Sequence, residues 1–157
     1  MNNKKLGFLI VTHGKMGQEL LNVASYIMGQ KLDGFQAVEV PFMGEITDSA
    51  ILESQTPFQE RREWLRRQIA DAIDRVDSGA GVVILTDIIG GTSFNVASEL
   101  LRQGQGVIIS GVNLPMLLKA AYLKTLSLEG AAKELVERSR KAIDRRSPQN
   151  GDPVAGE

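Results

Sequence analysis

Apolar runs and amphipathic stretches alternate along this chain. The apolar runs show little internal alternation, which predicts strands buried on both faces at residues 6–11, 35–40, 82–85 and 106–112. After each run, apolar residues recur at helical spacing, which predicts helices that follow Gly17, Gln59 and Gly91, a helix opened by Pro115, and a last helix over 128–143. This order predicts an α/β fold: a doubly wound, mainly parallel four-stranded sheet with helices on both faces.

Two stretches fall outside this pattern. Residues 42–57 are rich in turn-forming types and are expected to form a loop with room for one helical turn, and the 43–59 segment has no role that the sequence reveals. Residues 146–157 are polar, with two prolines and two glycines, and are expected to be a disordered tail. We therefore predict one domain over residues 1–145.

The composition excludes several classes of function. The 18 basic and 19 acidic residues give a net charge of -1, which argues against nucleic acid or an acidic membrane surface as a partner. There is no cysteine and only one histidine, so neither a thiol nucleophile nor a protein-only metal site is expected, and we expect no cofactor. No stretch approaches the ~20 apolar residues of a membrane span. A cytoplasmic domain is the simplest expectation.

Polar residues stand at the ends of three predicted strands. The only histidine, His13, lies just past the first strand between Thr12 and Gly14, and Asp87 follows the third strand. Asn113 follows the fourth strand. Because ligands in open α/β sheets bind at the carboxyl ends of the strands, these residues are expected to share one functional edge.

The residue types at this edge suit phosphoryl chemistry. Imidazole can act as a nucleophile, and a carboxylate such as Asp87 can hold one ring nitrogen of His13 so that the lone pair of the other is exposed. A glycine pair leading into a helix supplies N–H groups and the positive end of a helix dipole, which suit a phosphate dianion. We therefore predict that His13 and Asp87 are catalytic, and that the phosphoryl group is bound by the hydroxyls and N–H groups of Thr12, Gly90, Gly91, Thr92 and Ser93.

Each of these residues also has a purely structural interpretation. His13 could be a hydrogen-bonded turn residue, and Asp87 could satisfy backbone donors in its turn. The glycines could serve only to allow positive φ, and Thr92 or Ser93 could be helix caps. The functional interpretation is favoured because all of these turns are expected at one edge of the sheet.

Three ordered motifs carry a family resemblance. VTHGKMGQELL, TDIIGGTSFNVA and SGVNLPMLL resemble the mannose-family (fructose/mannose/sorbose) IIA component of the bacterial phosphoenolpyruvate-dependent sugar phosphotransferase system, over about residues 6 to 145. The resemblance implies that His13 is phosphorylated at Nε2 by the phosphocarrier HPr, that Asp87 orients it, and that the phosphoryl group passes to a IIB component for sugar uptake. It also implies a homodimer, and at most an indirect membrane association through the sugar permease.

The chain departs from this family in places. Members often have an aromatic residue before the glycine pair and Ser-Pro after it, whereas this chain has Ile89 and Thr92-Ser93. A carboxy-terminal strand is exchanged between subunits in the family, and the short RKAID stretch leaves this exchange open here.

Other functions remain possible on the sequence alone. The same histidine could serve a regulatory sensor of phosphorylation state or a phosphoryl donor to dihydroxyacetone kinase. A non-covalent flavodoxin-like binding domain is a further alternative, but the first turn lacks the GxGxxG spacing of a dinucleotide site. For the relay functions we expect an exposed site with an apolar docking rim, for which the candidates are Ile88, Ile89, Phe94, Leu114 and Met116, some of which core packing would explain equally well.

Overall fold

A computed structural model describes residues 4–41, 57–101 and 105–146. The elements within these ranges alternate strand and helix in the predicted order. They are β1 (Gly7–His13), α1 (Met16–Met28), β2 (Phe35–Val40), α2 (Pro57–Val76), β3 (Val82–Thr86), α3 (Thr92–Leu100), β4 (Gly106–Ser110), α4 (Leu114–Ala120) and α5 (Leu128–Lys141). Most of the predicted 42–57 loop and all but the first residue of the predicted 146–157 tail lie outside the described residues.

The four strands form one parallel sheet in the order β2-β1-β3-β4. The connection from β1 leads outward to β2 on one side, and the connection from β3 leads outward to β4 on the other side. The predicted doubly wound parallel sheet is therefore confirmed. In such a sheet a crevice opens between the two central strands at their carboxyl ends, here the ends of β1 and β3.

Two hydrophobic cores cover the two faces of the sheet. One contains Phe8, Ile10 and Leu85 from the central strands and is covered by α1, α4 and α5. The other contains Val11 and Ile84 and is covered by α2 and α3. Successive strand residues point to opposite faces, and both faces are buried, which explains why the strands are continuous apolar runs in the sequence.

The strand ends differ from the predicted bounds. β1 continues through Thr12 to His13, so His13 is the last residue of the strand rather than the residue after it; it pairs with Val40, and the Gly14 N–H extends the ladder to the Val40 carbonyl. β4 ends at Ser110 rather than at residue 112, because Gly111 turns the chain with φ of 85°.

Some apolar residues in and next to the helices are not buried. Ile27 on α1 is 55% exposed. In α3, which begins at Thr92, Val96 rather than Phe94 is fully buried. Helix α5 ends at Lys141, and Ile143 is exposed beyond it. None of the described helices has the length and apolar character needed to cross a membrane.

Candidate functional site

The site is assembled at the carboxyl edge of the two central strands. His13 is the last residue of β1, and Asp87 immediately follows β3, so parallel pairing of these strands brings together residues that are 74 positions apart. The glycine pair Gly90-Gly91 then leads into α3. The predicted meeting of polar turns at one edge is therefore observed for these two strands.

Asp87 holds His13 through a single carboxylate oxygen. Its Oδ2 lies 2.7 Å from Nδ1 of the ring and accepts a hydrogen bond from the His13 backbone N–H at 2.9 Å. An ionised carboxylate can only accept hydrogen bonds, so we place the ring proton on Nδ1. Within the described ranges no residue hydrogen-bonds Nε2, and the His13 side chain is 40% exposed. Nε2 is therefore the ring nitrogen that is open to a reactant.

The second carboxylate oxygen is also occupied. Oδ1 accepts hydrogen bonds from the Ile88 backbone N–H at 3.0 Å and from the Ser93 hydroxyl at 3.1 Å. Partial burial raises the pKa of the Asp87 carboxyl, but the hydrogen bonds from His13 and Ser93 and the charge of His13 outweigh it, so the pKa lies below its ordinary value of 3.8. Asp87 is therefore ionised at neutral pH and can hold the Nδ1–H tautomer of His13.

The backbone of Gly91 lies close to the imidazole ring. A Cβ atom at this position would be 3.6 Å from Cε1 of His13, the carbon next to Nε2, and 2.8 Å from Cγ2 of Ile88. Gly91 occupies the N-cap position of α3, and no side chain caps this helix. The first N–H groups of a helix have no intrahelical acceptor, so the start of α3 offers unused donors beside the ring.

The predicted phosphoryl-binding residues do not all face this edge. Gly90, Gly91 and Thr92 lie in the turn next to His13 and are at least partly exposed. Thr12 and Ser93 are fully buried: the Thr12 hydroxyl accepts a hydrogen bond from the Gly17 N–H at 2.7 Å, and the Ser93 hydroxyl donates to Asp87. The sequence contained a sign that Thr12 would not share the site with His13: consecutive strand residues point to opposite faces, and Thr12 directly precedes His13.

The turn after β4 is structural. Asn113 caps α4: its Oδ1 accepts a hydrogen bond from the Met116 N–H at 3.0 Å, and its Nδ2 donates to the Gly111 carbonyl at 3.2 Å. Pro115 is the second residue of α4, where its missing N–H also has no helical acceptor.

The apolar rim is smaller than the sequence suggested. Ile88 is 57% exposed and Ile89 is 73% exposed beside the glycine pair. Met116 is buried in the core, so its assignment to the rim was wrong, and Leu114 packs partly against the same core. Phe94 is half-buried. In the described part of the chain, no three His, Cys, Asp or Glu side chains are grouped so that they could hold a metal ion.

Fold and site together define a doubly wound α/β domain that presents a carboxylate-held histidine at the carboxyl edge of its sheet. Residues 7–139 match the family described as PTS system fructose IIA component. The chain belongs to this family, the mannose-family IIA components of the phosphotransferase system.

Individual relatives agree with this assignment. The chain is similar to the protein YadI of Escherichia coli (strain K12), at 32% identity over 113 residues, which are 71% of this chain and 66% of that protein. It is also similar to the PTS system mannose-specific EIIAB component of the same organism, at 30% identity over 115 residues. That match covers 73% of this chain but only 30% of the EIIAB component.

Solved structures share the fold. The PTS IIA protein associated with the fucose utilization operon from Streptococcus pneumoniae superposes with a TM-score of 0.70, covering 92% of this chain and 96% of that chain, at 24% sequence identity. At this identity the similarity concerns the fold alone.

Proposed function

We propose that the chain is a phosphohistidine carrier that accepts a phosphoryl group from HPr on Nε2 of His13 and passes it to a IIB component, for sugar uptake and phosphorylation. The observation that supports this most directly is the 2.7 Å contact between Asp87 and Nδ1, which leaves Nε2 as the open nitrogen of the ring. Membership of the IIA family supports the same role. In this role the chain is a phosphotransferase and needs no cofactor.

The chemical step is a displacement at phosphorus. The Nε2 lone pair forms an N–P bond while the N–P bond to the donor histidine breaks, and the electron pair of that bond leaves with the donor nitrogen. The His13 ring keeps its proton on Nδ1 and becomes positively charged, and the Asp87 carboxylate stabilises this charge. The second transfer reverses these changes, with the acceptor histidine as nucleophile. Nucleophile and carboxylate therefore have distinct tasks.

The start of α3 would hold the transferred group. Its first N–H groups and the Thr92 hydroxyl would donate hydrogen bonds to phosphoryl oxygens, and the helix dipole would favour the negative charge; the lack of a side-chain cap on α3 supports this. We assign this task to the Gly90–Thr92 turn. The buried hydroxyls of Thr12 and Ser93 do not contact the phosphoryl group in this proposal; they bind the Gly17 N–H and the Asp87 carboxylate.

The partners are proteins that must reach His13 directly. The exposed ring and the exposed side chains of Ile88 and Ile89 fit docking by a protein surface with an apolar centre. We further propose a cytoplasmic location and a homodimer, of which the resemblance implies the homodimer. Light scattering over a concentration series tests the assembly, and a mass that stays near 17.1 kDa at high concentration contradicts it.

Phosphorylation of the purified chain tests the carrier function. The protein is incubated with phosphoenolpyruvate, enzyme I and HPr, and intact mass is expected to show one added phosphoryl group that is lost in acid. The His13→Ala variant is expected to show none, since the chain has no other histidine. A stable adduct on His13→Ala, or an unreactive wild type with a compatible donor, would overturn the proposal.

A chase with candidate IIB proteins separates the carrier from a regulatory sensor. A carrier loses its phosphoryl group to IIB, whereas a sensor keeps it until a regulatory partner responds. Loss of the added mass on addition of IIB, with its appearance on IIB, is the result expected here.

A further inference from the structure

Four hydroxyl side chains are buried in the described part of the chain, and only those of Thr12 and Ser93 have a hydrogen-bond partner. Thr86 and Ser139 also have buried hydroxyls, and neither has a hydrogen-bond partner. The Ser93 hydroxyl, in contrast, donates to Oδ1 of Asp87 at 3.1 Å. Burial alone therefore does not give a hydroxyl a partner in this fold, and the contact with Asp87 is specific to this position.

The position of Ser93 excludes both roles that the sequence suggested for it, helix capping and phosphoryl binding. Gly91 is the N-cap and Thr92 is the first residue of α3, so Ser93 lies inside the first turn, and the helix has no side-chain cap. Its side chain is fully buried, so a bound phosphoryl group cannot reach the hydroxyl. Capping and phosphoryl binding are therefore both unsuitable explanations.

Asp87 links two elements through its two oxygens. Oδ2 binds the ring and the backbone of His13 at the end of β1, while Oδ1 binds Ser93 in the first turn of α3. One rigid carboxylate therefore sets the distance between the ring of His13 and the helix whose first N–H groups lie beside it. Without the Ser93 contact, Oδ1 keeps only the N–H of Ile88, which belongs to the same loop as Asp87.

We propose that Ser93 is a positioning residue for phosphoryl transfer: its hydroxyl holds Asp87, and through Asp87 it fixes His13 relative to the start of α3. This inference rests on the proposed carrier function. Of the groups that contact the Asp87 carboxylate, His13 is titratable, whereas the Ser93 hydroxyl and the Ile88 N–H are neutral. Ser93 can therefore hold the carboxylate without competing with His13 for its charge.

Substitution of Ser93 tests the inference with matched controls. Ser93→Ala removes the hydroxyl, and Ser93→Thr keeps it. Ser139→Ala removes a buried hydroxyl that has no partner. Ser98→Ala removes an exposed hydroxyl on α3, the helix of Ser93, that donates to the Phe94 carbonyl. We expect phosphoryl transfer from HPr to slow about 3-fold to 10-fold in Ser93→Ala, the equivalent of one ordinary hydrogen bond, because Ser93 acts on His13 only through Asp87. Both control variants should transfer like wild type, and Ser93→Thr should recover much of the rate.

Two NMR measurements on the unphosphorylated protein separate positioning from packing. A ¹³C titration of the Asp87 carboxyl should show a higher midpoint in Ser93→Ala than in wild type, because the lost hydrogen bond stabilised the charged form. The ¹⁵N shifts of the His13 ring should change from one dominant tautomer towards a mixture. A residue that matters only for packing would move neither signal.

The outcomes distinguish this inference from the proposed function. If wild type is phosphorylated and Ser93→Ala has the same rate and the same Asp87 midpoint, the positioning role is overturned and the carrier function stands. If wild type is never phosphorylated, the carrier function is overturned, and the positioning role of Ser93 in transfer falls with it. A slower Ser93→Ala with a raised Asp87 midpoint supports both.

Discussion

Helices α3 and α4 begin at the same edge of the sheet, but their first turns are built in opposite ways. The start of α4 is closed by Asn113, whose side chain accepts a hydrogen bond from the Met116 N–H. The start of α3 follows Gly91, which has no side chain, and nothing in the described protein caps it. The fold thus caps one helix with a side chain and leaves its neighbour uncapped, as the proposed phosphoryl-binding role of α3 requires. The following predictions test this division, from the largest expected effect to the smallest.

Asp87→Asn should have the largest effect on transfer. An amide can present an N–H to Nδ1 of His13, which favours the wrong tautomer, and loss of an orienting partner commonly costs about 10-fold to 100-fold. Rapid-quench measurement of transfer from HPr checks this. Asp71→Asn, which changes an exposed aspartate on α2, is the matched control. Equal rates for the two variants would reduce Asp87 to a turn residue.

Wild type and the Asp87→Asn variant should also differ in how their stability depends on pH. The folded-state pKa of Asp87 is lowered, so its contribution to stability is present above the ordinary value of 3.8 and is lost as the pH falls through the lowered value. Wild type should therefore be more stable than Asp87→Asn at neutral pH, and the difference should shrink in strong acid. Denaturant unfolding at several pH values measures it. A difference that widens in acid would contradict the assignment.

Gly91→Ala should slow transfer with little loss of stability. The backbone of Gly91 has an ordinary φ of -69°, and the new methyl group would displace only the exposed side chain of Ile88. It would lie over Cε1 of His13, however, and crowd the approach to Nε2. We expect transfer to fall about 10-fold, since small misplacements at a reacting centre are costly.

Gly111→Ala is the matched control in the turn after β4. Gly111 has φ of 85° and open space around its missing Cβ, so alanine there should cost about 1 kcal/mol of stability. Transfer should not change. If Gly91→Ala and Gly111→Ala behaved alike, the two turns would not differ as proposed.

Asn113→Ala should have the smallest effect on transfer and a clear effect on stability. It removes the cap of α4, which typically costs about 1 kcal/mol. Thermal unfolding should show this loss, while the rate of phosphoryl transfer stays at the wild-type value. A marked loss of transfer would place the start of α4 within the functional site.

Much of the fold could be predicted because both faces of the sheet are buried. Residues such as Ile10 and Val83 sit in apolar runs that no exposed strand would carry, and the alternation with amphipathic stretches left few possible topologies. The same topology predicted that the strand ends would share one edge of the sheet, and the structure places His13 against Asp87 at that edge.

The details of the site depended on facts that sequence patterns do not contain. Thr92 and Ser93 are adjacent hydroxyl residues, and which of them turns inward depends on where the helix starts, a point set by the glycine turn and by the packing of Val96. Helix ends were equally hard to place, because the apolar Ile143 continues the stripe of α5 although the helix stops at Lys141. The roles of the residues as carriers and ligands of the phosphoryl group stay predictions.

The single oxygen of Asp87 that binds both the ring and the backbone of His13 has a kinetic consequence. The ring is held at Nδ1 by the same oxygen that binds the backbone N–H of its own residue, so it presents Nε2 in one direction. Under the proposed function, donor and acceptor proteins must then approach one atom from one side and cannot occupy a site together. Turnover should follow a double-displacement scheme, in which each partner competes with the other for the free carrier.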